Sequence, residues 1–195
     1  MSSIRDTTGQ GALTPRENRG NLPALASELR RRALLDQEVR GVKNKTPDCV
    51  RRWMEVDADN ARRMWEILRL YGWPGYRLVG EQGSGDAALL IQHADKDRRL
   101  QRFGLELLVE SVDADDAHPS HIAYLLDRIR IHSGVPQRYG TQYARNAQGL
   151  FQMLPVEDPP GLDARRAELG IVSVAEFERQ VRELHGNNQV LSEET

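Results

Sequence analysis

The chain has 195 residues, 39% hydrophobic and 29% charged, enough to bury a core without disulfides or a structural metal and too apolar for full disorder. Its 27 basic and 29 acidic residues give a formal net charge of -2 with the signs interleaved, which argues against a nucleic-acid partner. One cysteine, Cys49, rules out an intramolecular disulfide, no stretch nears the ~20 apolar residues of a membrane helix, and no apolar leader is seen, so the cytoplasm is the expected compartment.

Residues 1–20 are rich in Ser, Thr, Gly, Asn and Arg and read as a disordered tail, as do residues 187–195. One helical domain is expected between them, over 21–186. Leu22, Leu25, Leu29 and Leu35 recur at near-helical spacing, with Pro23 suited to a first turn, and predict a helix over about 22–40. Arg30-Arg31-Arg32 lies on its solvated face. A second helix is expected over about 48–56 and a third over about 57–71, where Met64, Leu68 and Tyr71 share a face. Gly72-Trp73-Pro74-Gly75 stops the third.

Gly80-Glu81-Gln82-Gly83-Ser84-Gly85 reads as a Gly-rich entry loop that matches no nucleotide fingerprint. The next helix, about 86–93, is apolar nearly all round and is expected to be central. Helices over about 97–112 and from Pro119 to about Ser133 follow. The period then changes. Runs over 139–144 and 150–156 flank Arg145-Asn146-Ala147-Gln148-Gly149 and predict a β-hairpin. Asp163 is placed to cap a short helix ending at Gly170, and Ser173 with Glu176 forms a capping box for a last helix with Val174, Phe177, Val181 and Leu184 inward. The fold expected is mainly α: a compact, bundle-like helical domain with one small β-hairpin near the C-terminal third.

His93 and Asp95 follow the most apolar helix, where polar groups need partners. Such a pair can ligate a metal, can join acid–base chemistry with the carboxylate fixing the imidazole tautomer, or can close one helix and cap the next. His121, in the first turn of a later helix, is a second candidate base, or else a partly exposed first-turn residue. His93, Asp95 and His121 with Glu157 or Asp158 are the nearest thing to a metal set. Their spacing is not diagnostic, and no cofactor is expected. Gln137, Tyr139, Thr141 and Gln142 are dense in neutral hydrogen-bonding groups suited to a polar ligand, with Tyr139 also a candidate proton donor, or they form a solvated hairpin face. Arg165 can clamp an anion beside Asp158, or the two can pair and pin their loop.

Tyr71-Gly72-Trp73-Pro74-Gly75, Gln92-His93-Ala94-Asp95, His121 with Ala123-Tyr124-Leu125 and Asp127-Arg128, Pro136-Gln137 with Tyr139-Gly140-Thr141-Gln142, and Pro155-Val156-Glu157-Asp158 with Asp163-Ala164-Arg165-Arg166 occur in that order. In this the chain resembles a bacterial family of unknown function, DUF6624, from about Gln37 to Leu184. The resemblance implies no activity and marks the same stretches as site candidates.

Two function classes remain open beside a purely structural polar core. One is a small hydrolase-like enzyme acting on a polar small molecule or peptide. In it His93 and His121 are acid and base, Asp95 orients, Tyr139 donates, and Gln137, Thr141, Gln142, Asp158 and Arg165 contact substrate. The other is a non-catalytic module that binds a small molecule or a protein through the same groups.

Overall fold

The computed structural model describes residues 21–42 and 46–185. The tails expected at 1–20 and 187–195 lie outside them. Seven α-helices run in chain order among the described residues, and none is long and apolar enough to cross a membrane.

Helix α1 (Pro23–Gly41) buries Leu25, Leu29, Ala33, Asp36 and Val39, one residue per turn along a single stripe. Helix α2 runs unbroken over Pro47–Tyr71, where the sequence suggested two helices meeting at Asp57. No Gly or Pro interrupts it. Its polar run pairs with α1 rather than capping a new helix: Asp57 meets Arg40 at 2.6 Å and Asp59 meets Arg32 at 2.7 Å. Thr46 caps its start through the Cys49 amide. Gly72, at φ 77°, ends it by donating to the Leu68 carbonyl.

Helix α3 spans Tyr76–Gln92, so the expected entry loop at Gly80–Gly85 is itself helical. Only Gly80 departs, at φ 73° and ψ 172°. At Gly83 a Cβ would stand 2.7 Å from Val79 Cβ one turn back, so a side chain there would crowd the helix's own Val79, while Ala26 of α1 lies at ordinary contact distance, 3.6 Å. α3 buries Leu78, Val79, Ala87, Ala88, Leu90 and Ile91 and touches α1 and α2. It also packs on α4 (Arg98–Asp113) and α5 (Ser120–His132), which makes it the central helix. Asp97, not Asp95, caps α4 by accepting from the Leu100 amide at 3.0 Å.

The hairpin forms in the C-terminal third with shorter strands than expected: β1 (Tyr143–Arg145) pairs antiparallel with β2 (Phe151–Met153), Ala144 opposite Gln152. Residues 138–141 bind α5 instead of extending the ladder. A 3₁₀ turn at Pro159–Gly161 precedes α6 (Leu162–Glu168). Asp163 does not cap that helix. Its carboxylate accepts from the Val174 amide at 2.8 Å and ties α6 to α7 (Val174–His185). Half of the expected capping box forms: Ser173 accepts from the Glu176 amide, while the Glu176 carboxylate binds Arg179. Val181 and Leu184, expected inward on α7, lie outside the described side chains.

Candidate functional site

His93 stands at the C-cap of α3, where the chain turns through Ala94, Asp95 and Lys96 into the Asp97 cap. Its ring faces α1, and its Nδ1 lies 2.7 Å from Asp36 Oδ2. Asp36 has no solvent exposure. Its carboxylate also accepts from Arg40 Nε at 3.0 Å and from Gln37 Nε2 at 2.9 Å. Arg40 then reaches Asp57 Oδ1 with its other arm at 2.6 Å. Three helices thus supply one chain of contacts, His93–Asp36–Arg40–Asp57.

An ionised Asp36 accepts only, which assigns the imidazole proton to Nδ1 and leaves Nε2 as the basic nitrogen. Burial pushes the Asp36 carboxyl up, but the hydrogen bond and charge of His93, with Arg40 behind them, hold it below the usual carboxylate range. Asp57 goes the other way. Burial lifts it, the nearby Asp36 charge adds to that, and the attraction of Arg40 does not cancel them. Two carboxyls bridged by one arginine are therefore driven apart in proton affinity, as acid–base sites require.

Asp95 does not orient His93. Arg128 holds it bidentately, Nε to Oδ1 at 2.8 Å and Nη2 to Oδ2 at 2.6 Å. Burial raises the Asp95 carboxyl, and Arg128 more than offsets this, leaving it lowered. His132 Nδ1 approaches to 3.5 Å without a hydrogen bond. Arg128 Nη1 also donates to Gln142 Oε1 at 3.3 Å. Gln142 donates to Thr141 Oγ1 at 3.0 Å, and Thr141 donates to Asp127 at 2.9 Å. The two polar stretches at 92–95 and 137–142 are joined through Arg128.

The 137–142 stretch is held from within. Gln137 has no exposure. Its amide donates to the Gln142 and Leu154 carbonyls and accepts from the Gln142 amide at 2.8 Å. Asp127, equally buried, accepts from the backbone of Arg138, Tyr139 and Thr141. Arg166, 1% exposed, donates to the Tyr139 carbonyl at 2.6 Å. Arg165 pairs with Asp158 at 2.8 Å and donates to the Glu157 carbonyl at 2.7 Å, pinning its own loop.

His121 lies apart from His93. Its ring abuts Gly85, where a Cβ would stand 3.8 Å from Nε2. Gly85 precedes His93 by eight residues, roughly 12 Å along the helix axis. Burial, with the adjacent His118, lowers the His121 pKa.

A groove of about 420 Å³ opens between α2 and the turn after α3, lined by Met54, Asp57, Ala61, Trp65, Ala94 and Asp95 among others. Trp65 is fixed there by donating to Asp97 at 2.7 Å and stacking on Phe103 at 5.4 Å. Among the described residues no three His, Cys, Asp or Glu side chains converge to hold a metal ion. The His93 network borders this groove at Asp57, and the His93 side chain, 14% exposed, stands outside the groove's lining.

The profile of a family of unknown function, DUF6624, matches residues 25–189. The chain belongs to that family. No curated protein and no solved structure matches it. Every residue of the network in this DUF6624 protein, from Asp36 to Gln142, falls within the matched segment.

Sequence reasoning missed Asp36, Arg40, Asp57 and the joining role of Arg128. Asp36 carried a readable signal: it occupies the buried stripe of α1 between Ala33 and Val39, where an unpartnered carboxylate is costly. Asp57 carried none, because its partner comes from another helix.

Proposed function

We propose that this DUF6624 protein is a small hydrolase-like enzyme. His93 is its base, Asp36 the carboxylate that orients it, and the groove beside Asp57 the place where substrate lies. The observation that carries this reading is the 2.7 Å contact between His93 Nδ1 and the fully buried Asp36. A buried carboxylate on one imidazole nitrogen leaves the other free to take a proton and stabilises the imidazolium that results.

The step is ordinary acyl or related transfer to water. His93 Nε2 takes a proton from water as the water oxygen bonds to the electrophilic centre. The imidazolium then returns that proton to the leaving group as its bond breaks. Asp57, with its carboxyl raised by burial, is the second proton carrier at the groove wall. Asp95 serves instead to fix the turn through Arg128. Gln142 is tied to that turn through Arg128, while Gln137, Thr141, Asp158 and Arg165 bond to other groups of the chain and are not substrate contacts in this reading. His121 and Tyr139 are not part of the reacting pair in this reading.

The test is a panel of chromogenic esters, amides and phosphoesters with the native protein, His93→Gln and Asp36→Asn. Each substitution is expected to lower turnover by about a hundredfold or more. Turnover that survives His93→Gln at more than about a tenth of the native rate, or no turnover on any member of the panel, sinks the proposal.

A further inference from the structure

The charges around the groove between α2 and the turn after α3 are nearly all engaged within the chain. Asp57 pairs with Arg40, and Asp95 with Arg128. Asp97 accepts from the Leu100 amide with one oxygen and from the Trp65 indole with the other. Arg62 is held by Asp59 and Glu66. Lys96 differs. It is exposed, it lines the groove, and among the described residues it has no ion pair or hydrogen bond.

Three arginines just beyond it share that state. Arg98, Arg99 and Arg102 pair with no described residue, whereas Arg32, Arg40, Arg62 and Arg63 are all drawn into ion pairs. The three fall within about 100° of one another on the solvent side of α4, opposite Leu100, Leu107 and Leu108. Arg98 and Arg99 occupy the first turn, which holds no acidic residue. Cations there oppose the helix dipole, so helix stability alone would favour the other sign. Arg99 stands one turn before Phe103, whose ring stacks on Trp65 of the groove wall at 5.4 Å. The basic face therefore reaches the edge of the groove.

We infer that the groove takes a small amphiphilic anion, its apolar body against Ala61 and Trp65 and its carboxylate or phosphate head at Lys96. This names the substrate class for the catalytic reading of the same groove and rests on that reading where turnover is concerned. Three observations select the ligand. The volume of about 420 Å³ suits a small molecule. The wall is largely apolar, through Met54, Ala58, Ala61, Trp65 and Ala94, which calls for an apolar body. The charge left without a partner at the rim is positive, so a cationic ligand would meet carboxylates already engaged, while an anionic head would meet a free ammonium. Arg98, Arg99 and Arg102 extend the positive field past the contact and draw anions to the mouth. A long polyanion fits worse, because Asp59 and Glu66 on α2 and Glu106 and Glu110 on α4 bound the basic face.

The probes are phenylbutyrate and phenylethyl phosphate, with phenylbutanol and phenylbutylamine as the neutral and cationic analogues. Each is titrated into the full chain and followed by calorimetry and by NMR at the Trp65 indole N–H. Submillimolar binding is expected for an anion, with the two anionic arms telling carboxylate from phosphate, and at least about tenfold weaker binding for the alcohol and the amine. Raising salt from about 0.05 M to about 0.5 M should weaken the anion several-fold. Lys96→Gln is expected to weaken the anion about tenfold with Tm unchanged, and Lys96→Arg to hold it within about threefold. Ala58→Phe, at an exposed position of the lining, should fill the groove and abolish binding. His93→Gln should leave affinity within about twofold, so binding reports the groove while turnover reports the base. Alcohol or amine binding as tight as the anions, equal binding by the Lys96→Gln and native proteins, or no anion binding up to about 10 mM overturns the inference whatever the turnover result. If the anions bind as expected and His93→Gln leaves turnover unchanged, the catalytic reading fails instead.

Discussion

Replacing Asp36 by Asn removes one negative charge and almost no volume. The buried carboxylate accepts from His93 at 2.7 Å, Arg40 at 3.0 Å and Gln37 at 2.9 Å. Hydrogen bonds to a charged group contribute ~1.5–3 kcal/mol each and do not add. Removing one partner of a buried ion pair costs about 3–5 kcal/mol. Arg40 keeps Asp57 at 2.6 Å, so it is not stranded. The loss then falls at the low end, about 3 kcal/mol, or roughly 6–12 °C in Tm for a chain of this size. The pH dependence has a definite sign. The Asp36 carboxyl is held below its ordinary value, so its contribution is present above the ordinary carboxylate range and is lost as pH falls through the lowered value. Urea unfolding followed by circular dichroism is the assay, with native and Asp36→Asn proteins compared near pH 7 and near pH 3. The gap should be near 3 kcal/mol at the higher pH and should shrink in acid. A gap under about 1 kcal/mol near neutrality, or one that widens in acid, would refute the account of Asp36 as the charged centre of the network.

Asp127→Ala strips the acceptor from three backbone amides and should cost about 3–5 kcal/mol, with faster hydrogen exchange at residues 138, 139 and 141. Unchanged protection at those amides contradicts it. Arg128→Met removes the charge that holds the Asp95 carboxyl down, so a ¹³C titration should find the Asp95 midpoint higher than in the native protein, and an equal midpoint would be the failing result. His121 should titrate below the ordinary histidine value of about 6.5, because burial disfavours the imidazolium; stability drawn from it is lost as pH falls through the ordinary range, and an NMR midpoint at or above 6.5 rules this out. Gly104→Ala would set a Cβ 2.8 Å from Ile91 Cγ2, where α4 presses on α3. The clash should cost about 1–3 kcal/mol in urea unfolding, and a neutral substitution would mean the helices can part without penalty.

The helices were legible where apolar spacing alone decides them. Leu25 and Leu29 mark the buried stripe of α1, and Gly72 with Pro74 marks the end of α2. Legibility failed where a residue's local preference was overruled by a partner far along the chain. Asp57-Ala58-Asp59-Asn60 looks like a helix start, but arginines of α1 absorb its charges. Gly83 and Gly85 look like a turn, but they continue α3 where it packs on Ala26 of α1 and His121 of α5. The site followed the same rule. His93 was visible because it ends the most apolar helix, while its partner Asp36 stands 57 positions away. Gln137 was visible as an uncharged polar residue, yet its amide is spent on the Gln142 and Leu154 carbonyls, which no local pattern announces.

Asp127 and Arg128 are consecutive on α5, so their side chains leave the helix about 100° apart. One fastens the amides of 138–141, and the other spans Asp95 and Gln142. The hairpin root and the turn that carries His93 are therefore registered by a single rigid body. A rotation of α5 by even a fraction of a turn would unseat both contacts at once, and no local adjustment could restore one without spoiling the other. Geometry at His93 is set to that extent by one coordinate, the angle of α5 about its own axis.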